Sequence, residues 1–265
     1  MEIPASRWFE AIARRKSQRA FDGTALAPAL RSHLDSVCAR FNPFPGARAV
    51  LVAPAPERAF RGFLGNLGTI GGAGSFVAFI GDTADEHVNE KIGYVGEGIV
   101  LEATALDLAT CWVGGFFRKD VVESLLDISR NEKVFAVTPL GRPADRASNT
   151  QRIISSLAGS RRRKPVLELV EGLDRSRWPG WMTAALEAAR IGPSAVNRQP
   201  WRFHLEPDSI TVSTAGRPPS FGISRRLDCG IAMLHIEVAA LAAGVQGSWG
   251  LLESPGVARF TVRGA

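Results

Sequence analysis

The chain has 265 residues, of which 45% are hydrophobic and 22% charged, a globular composition that excludes disordered, collagen-like and low-complexity classes. The formal charge of +6 divides evenly: residues 1–172 hold 22 basic and 19 acidic residues, residues 173–265 hold 10 and 7, and each part carries +3. No basic stripe stands out, so no nucleic-acid partner is expected.

Along the chain, MEIPASRWFEAIARRK lacks an apolar run ending at a cleavage site, so no secretory signal is expected and the compartment reads as cytoplasmic. Ser6 is the candidate N-cap of a first helix carrying Trp8, Phe9, Ile12 and Ala13. This helix fades near the AFDG turn, with Arg14, Arg15, Lys16 and Arg19 at its end. Residues 49–53 and 75–80 read as strands, the second preceded by the glycine-rich GNLGTIGGAG. Val88–Ala109 is predicted as a long, largely apolar helix, followed by a strand TCWVGG, a helix over 121–126 and a strand KVFAVTPLG. Residues 144–160 are polar and irregular, and they lead through Arg161, Arg162, Arg163 and Lys164 into a short helical run, VLELVEGL, and a linker, DRSRWPG.

The pattern then repeats in shortened form. Residues 181–191 read as a helix, WRFHLE and SITVST as strands, residues 227–243 as a second apolar helix, and QGSWG and ARFTV as strands. Asp228, His235 and Glu237 break the second apolar run, so no membrane span is expected. Residues 101–106 followed by Trp112 parallel residues 236–241 followed by Trp249, with two extra residues in the second copy. Two helices this apolar are best buried against each other across a pseudo-twofold axis.

Few side chains declare chemistry of their own. His204 and His235 read as structural histidines, while His33 and His87 fit exposed helices. Tyr94 is expected to pack within the central helix. No histidine pair has metal-ligand spacing, and Cys38, Cys111 and Cys229 form no CxxC pair, so they read as reduced, buried thiols and no metal is expected.

The most informative segment is Ile191 to Trp201, IGPSAVNRQPW, which closes a helix and opens a strand with two prolines that deny helix continuation. Alone it reads as a helix-to-strand turn with Asn197 bonded to local backbone. The full stretch EAARxxPSAxNxQPWRF, however, resembles the motif of the nitroreductase family of flavin enzymes. In that family this loop, here Pro193, Ser194, Ala195 and Asn197, packs on the flavin ring and comes from the partner subunit. ARRKSQRAFDG resembles the family's basic helix end, so Arg15, Lys16, Ser17 and Arg19 are implied contacts to phosphate or polar flavin edges. Arg161 and Arg163 resemble a second phosphate pair, and Trp112, Gly114 and Gly115 occupy the loop laid over the flavin pyrimidine. Asn66 falls where the family can place a polar flavin contact.

The motifs are divided between the two parts of the chain. Residues 1–172 hold the basic clusters but have CARFNPFPGARAVLV where the PSAxN loop is expected; residues 173–265 hold that loop but only RSRWPGW where the first basic motif would stand. The chain thus resembles the tandem branch of the family, in which one polypeptide mimics the usual dimer. The resemblance implies an α+β (α/β sandwich) fold with a mainly antiparallel sheet flanked by helices, an N-terminal half over 1–172 and a shortened C-terminal half over 173–265. It implies one FMN site, completed by a monomer, with further dimerisation left open. The implied activity is electron transfer from NADH or NADPH through flavin N5 to a nitroaromatic, a quinone or a similar small-molecule acceptor, with no catalytic side chain required. Alternatives are a flavin-binding protein without turnover and a member with a different reaction, such as reductive dehalogenation.

Overall fold

Nine strands among the described residues pair into two separate sheets in the computed structural model; the first lies wholly within residues 1–172, and the second takes one edge strand from that part and its other four from residues 173–265. The structure describes residues 1–56, 59–60, 70–115, 117–144, 162–216 and 222–264. In the first sheet β1 (Ala47–Val52), β2 (Ser75–Asp82), β4 (Glu132–Gly141) and β3 (Ala109–Thr110) lie in that order, antiparallel throughout. β2 is apolar on both faces because both are covered: Phe76, Val77, Ala78, Phe79 and Ile80 are all buried. The second sheet runs β5 (Val170–Gly172), β6 (Trp201–Glu206), β7 (Ser209–Thr214), β9 (Gly256–Val262), β8 (Gly247–Leu251), antiparallel except for the parallel β5–β6 pair.

Six helices flank these sheets among the described residues: α1 (Ala5–Arg14), α2 (Pro28–Arg40), α3 (Val88–Ala105), α4 (Lys119–Glu123), α5 (Gly180–Arg190) and α6 (Arg225–Ala242). The expected burial of the two apolar helices against each other is found in α3 and α6, and glycine makes the crossing close. A Cβ at Gly93 would lie 2.0 Å from the Leu227 carbonyl oxygen, and one at Gly230 would lie 2.0 Å from that of Glu90. The two helix backbones therefore touch at a reciprocal pair of positions, which is the pseudo-twofold relation in atomic form.

The structure corrects several element boundaries. Ser6 is not the N-cap: the Pro4 carbonyl accepts the Trp8 N–H at 3.0 Å, so α1 begins at Ala5 and Ser6 sits in its first turn. The first long helix stops at Ala105, not Ala109, because Asp107 takes φ 57 and turns the chain out. In TCWVGG only Thr110 belongs to a strand; Cys111 N–H donates to Thr138 Oγ1, and Val113 exchanges two 2.9 Å backbone bonds with Val137. VLELVEGL is a 3₁₀ turn over Val166–Glu168 followed by β5, because the edge of β6 supplies partners: Phe203 N–H donates to Leu169 O, and Leu173 N–H to Leu205 O. His33 lies on α2 and bonds Glu102 at 2.6 Å, and His87 stands at the N-cap position of α3 beside Glu90.

Candidate functional site

The site begins where α1 ends. Arg15 leaves the helix with ψ 128, and the extended chain beyond it runs beside β3, with Ser17 bridged to Thr110 and the Gln18 N–H donating to Thr110 O at 2.8 Å. This turn carries Ser17 against Cys111, whose thiol is pushed up by burial and eased back by Arg19, Arg15 and the Ser17 hydrogen bond. Lys16 is exposed. The Arg15 side chain is only 7% exposed, and its Nε stands 3.8 Å from Glu97 Oε1 without a hydrogen-bond partner among the described residues.

Glu97 is the hub behind it. This fully buried carboxylate on α3 accepts the Trp112 indole N–H at 2.7 Å and meets His235 Nε2 of α6 at 3.0 Å. His235 Nδ1 faces the Ala188 carbonyl at 2.8 Å, so that nitrogen donates and the imidazole bridges α5 to α3. His235 is a satisfied core histidine, as its sequence setting suggests. Trp112 needs Gly96 beneath it, where a Cβ would lie 2.3 Å from the ring.

The second basic cluster arrives from the far end of the first part. Burial, and then the positive charges of Arg15 and Arg190, hold the Arg163 guanidinium below its ordinary pKa. Two like charges well apart in sequence are thus brought together in a half-buried setting. Arg163 also donates to Asn197 Oδ1 at 2.7 Å. Asn197 in turn donates from Nδ2 to Arg162 O at 2.9 Å, so the distant cluster supplies it with partners beyond the turn itself.

The loop itself is strained and pinned. Val196, Asn197 and Gln199 have φ 47, 55 and 48, and such conformations cost roughly 1–3 kcal/mol each in non-glycine residues, most of all in a β-branched one. Asp228, in the first turn of α6, holds the loop through the Ala195 N–H at 3.1 Å and Arg198 Nε at 2.6 Å. Burial pushes the Asp228 carboxyl up to about 6, against the pull of Arg198. Gln199 N–H donates to Ser194 Oγ at 3.0 Å, Lys164 N–H donates to Gln199 Oε1 at 2.9 Å, and Pro193 is buried. The result is an exposed Val196 on a rigid, charged mount.

Glu97 thus joins Arg15 to Trp112 and His235, Arg163 pairs with Asn197, and the two groups meet through the charge of Arg15 felt at Arg163; Ser17 and Arg19 act on Cys111, and Asp228 holds the loop through Ala195 and Arg198. Gly114 and Gly115 lie apart from these contacts: a Cβ at Gly114 would stand 3.1 Å from Ile223, and both glycines line a cavity described below. Asn66 and Arg161 lie outside the described residues. Sequence reasoning missed Glu97, Asp228 and Arg190. Only an acid placed within an otherwise apolar helix could have marked the first two. No three His, Cys, Asp or Glu side chains gather as a metal site among the described residues, and no helix among them is long and apolar enough to cross a membrane.

Comparison with known proteins gives a consistent frame. The family model described as "Putative TM nitroreductase" matches residues 7–240. A putative nitroreductase from Thermotoga maritima superposes with a TM-score of 0.65 at 19% identity, over 96% of this chain and 93% of that one. A nitroreductase family protein from Clostridium difficile aligns over 62% of this chain and 96% of its own, at 18% identity and TM-score 0.45. An FMN-bound nitroreductase from Bacteroides fragilis aligns over 53% and 90%, at 18% identity and TM-score 0.43. No curated protein matches the chain.

Proposed function

The chain belongs to this nitroreductase family, and on that premise we propose that it is an FMN-dependent oxidoreductase. NADH or NADPH is the electron donor in this reading, and a nitroaromatic, quinone or similar small molecule the acceptor. One observation carries the cofactor assignment: Arg15 and Arg163 converge in a half-buried place where Glu97 is the nearby counterion. Like charges gathered at such cost call for an anion.

The residues present fit a flavin mononucleotide. Arg15, Arg19 and Arg163 form a donor set suited to a phosphate, with Ser17 and the exposed Lys16 beside them. Arg161 is assigned to the same phosphate by sequence position. The strained Pro193-Ser194-Ala195-Val196-Asn197 loop, fixed by Asp228 and Arg198, is suited to cover a planar ring. Trp112, Gly114 and Gly115 supply backbone toward the pyrimidine edge, and Asn66 is carried as a further polar contact. Bound FMN would supply the redox centre, taking two electrons from the donor and returning them to the acceptor. The protein's share is binding, orientation and exclusion of water, so no side-chain acid or nucleophile is assigned. One site is assigned per chain, completed by residues 173–265 acting on residues 1–172.

Anaerobic spectroscopy tests the reading. Purified protein should carry about one flavin per chain by absorbance; NADH or NADPH should bleach it, and a nitroaromatic or quinone should restore it. Flavin that stays oxidised with both nucleotides yet reduces with dithionite would point to a binding protein without turnover. Protein that takes up no flavin would overturn the assignment.

A further inference from the structure

Outside the arginine network lies a cavity of about 490 Å³, the size range of small-ligand pockets. It is built from both parts of the chain: Gly114, Gly115, Lys119, Lys133 and Phe135 face Gly222 and Ser224 across it. The charged side chains lining it among the described residues are the two lysines, and no acid lines it. Lys133 sits over the Phe135 ring at 4.5 Å and forms no ion pair among the described residues. Lys119 has a loose partner in Glu123 at 3.6 Å, a carboxylate also occupied by the Val134 N–H.

Several acids near the lining in sequence are already engaged, the exposed Glu86 apart. Glu132 is held by Arg48, Asp120 by Arg118, Glu90 by Arg226 and Asp228 by Arg198. Asn89 and Ser224 bring the first turns of α3 and α6 to the lining, adding the partial positive charge of two eighteen-residue helices. The cavity is thus positive on every charged element that lines it, with aromatic walls at Phe117 and Phe135. Its far wall is also tied to the PSAVN loop, since Arg198 donates to the carbonyls of Ile223 at 3.0 Å and Ser224 at 2.8 Å.

We propose that this cavity is the substrate-binding antechamber of the Gly114–Gly115 loop, and that Lys119 and Lys133 make it selective for substrates bearing a carboxylate or phosphate. The inference rests on the function proposed above, because the same glycines are there assigned to the cofactor's edge. An anionic group binds the lysines while an aromatic part packs on the phenylalanines. The anion has two sources in that reaction: the phosphates of the reduced dinucleotide, or a carboxylate on the acceptor.

Equilibrium titration of the oxidised, flavin-loaded protein tests this without turnover. Two matched pairs serve as probes: 4-nitrobenzoate against 4-nitrobenzyl alcohol, and 2′,5′-ADP against adenosine. At least one anion should bind more tightly than its neutral match, and that preference should fall about tenfold in the Lys119→Gln/Lys133→Gln variant, two partly exposed charge contacts being removed. The native protein offers a control that needs no refolding: about 1 M salt, where the screening length is near 3 Å, should erase the same preference. Loss confined to 4-nitrobenzoate assigns the acceptor as the anion, and loss confined to 2′,5′-ADP assigns the dinucleotide. Absence of any anion preference, or a preference the variant retains, overturns the proposal. Bleaching by NADH or NADPH, measured on both proteins, reads the underlying oxidoreductase assignment separately.

Discussion

The two parts of the chain each place a tryptophan against a helix glutamate, fully buried in the first and partly buried in the second. Trp112 donates its indole N–H to Glu97 at 2.7 Å, and Trp249 donates to Glu237 at 2.8 Å. In each case the opposite long helix adds a second partner: His235 of α6 reaches Glu97, and Tyr94 of α3 reaches Glu237. The first glutamate also faces Arg15, whereas both hydrogen-bond donors at the second are neutral. The tryptophan–glutamate contact recurs at a shifted helix position, fifteen residues from Trp112 and twelve from Trp249, and its electrostatics differ. A cation bound at that contact can serve an anion on its other side, and a phenol cannot, so the comparison explains why one site per chain is proposed.

The largest effect should come from removing the buried Glu97 carboxylate. Glu97→Ala takes the acceptor from the Trp112 indole N–H and leaves Arg15 without its ion-pair partner and His235 Nε2 without its contact, and breaking a buried pair in this way costs about 3–5 kcal/mol. Urea unfolding should show that loss. A change below about 1 kcal/mol would mean that Arg15 is held by something other than Glu97.

Next in size are the arginines. Arg15→Ala and Arg163→Ala should each weaken flavin binding by about 1.5–3 kcal/mol, the worth of a charge-assisted hydrogen bond. Arg177→Ala, in the segment that stands where the second part would need its own basic motif, should leave flavin content unchanged. Equal losses in all three variants would break the asymmetry argued above.

The helix crossing gives a test of what the two parts still share. Gly93→Ala and Gly230→Ala each drive a methyl onto a carbonyl of the opposite helix, so both should destabilise, by about 1–3 kcal/mol and by similar amounts. A large difference between them would show that the pseudo-twofold relation does not extend to the energetics. Thermal unfolding of the two variants side by side is sufficient.

These tests also mark what could be read from the amino-acid order. Predominantly apolar runs such as residues 75–80 and 227–243 signal buried elements directly, and the structure places β2 and α6 there. The helical appearance of VLELVEGL fails because strand formation at an open sheet edge outweighs local propensity. α2 escapes notice as an element because its buried Leu34, Val37 and Cys38 are interrupted by Arg31, His33, Asp35 and Arg40. At the candidate site, motif resemblance brings forward Arg163 and Asn197, which are hydrogen-bonded to each other, and Arg15, whose charge acts on Arg163. It could not bring forward Glu97, which meets His235 from 138 positions away and whose one local mark is that of an acid in an apolar helix. The repeat alignment even sets Glu102 opposite Glu237, whereas Glu102 bonds Trp8 and His33 and leaves Trp112 to Glu97.

The smallest expected effect is the most discriminating, because it asks whether Glu237 is merely a hydrogen-bond acceptor. Burial raises its carboxyl above the ordinary value, while Tyr94, Trp249 and the more distant charge of Arg263 pull it back; burial, and then the adjacent carboxylate, drive the Tyr94 phenol well up. A carboxyl raised on folding takes up its proton at higher pH in the folded chain than in the unfolded one. Its contribution to stability is therefore fullest below the unfolded value near 4.5 and is lost as pH rises through the folded value. Glu237→Gln removes that dependence, since the amide oxygen still accepts a hydrogen bond and carries no charge. At pH 7 the variant should differ from the native chain by about 1 kcal/mol or less, with unchanged flavin content, and its stability should lose the gain that the native chain shows on mild acidification. Glu97→Gln makes the matching experiment in the first part: there the charge is required, and flavin affinity should drop. If both amides behaved alike, in pH profile and in flavin content, the electrostatic division between the two parts would be wrong even with the fold unchanged.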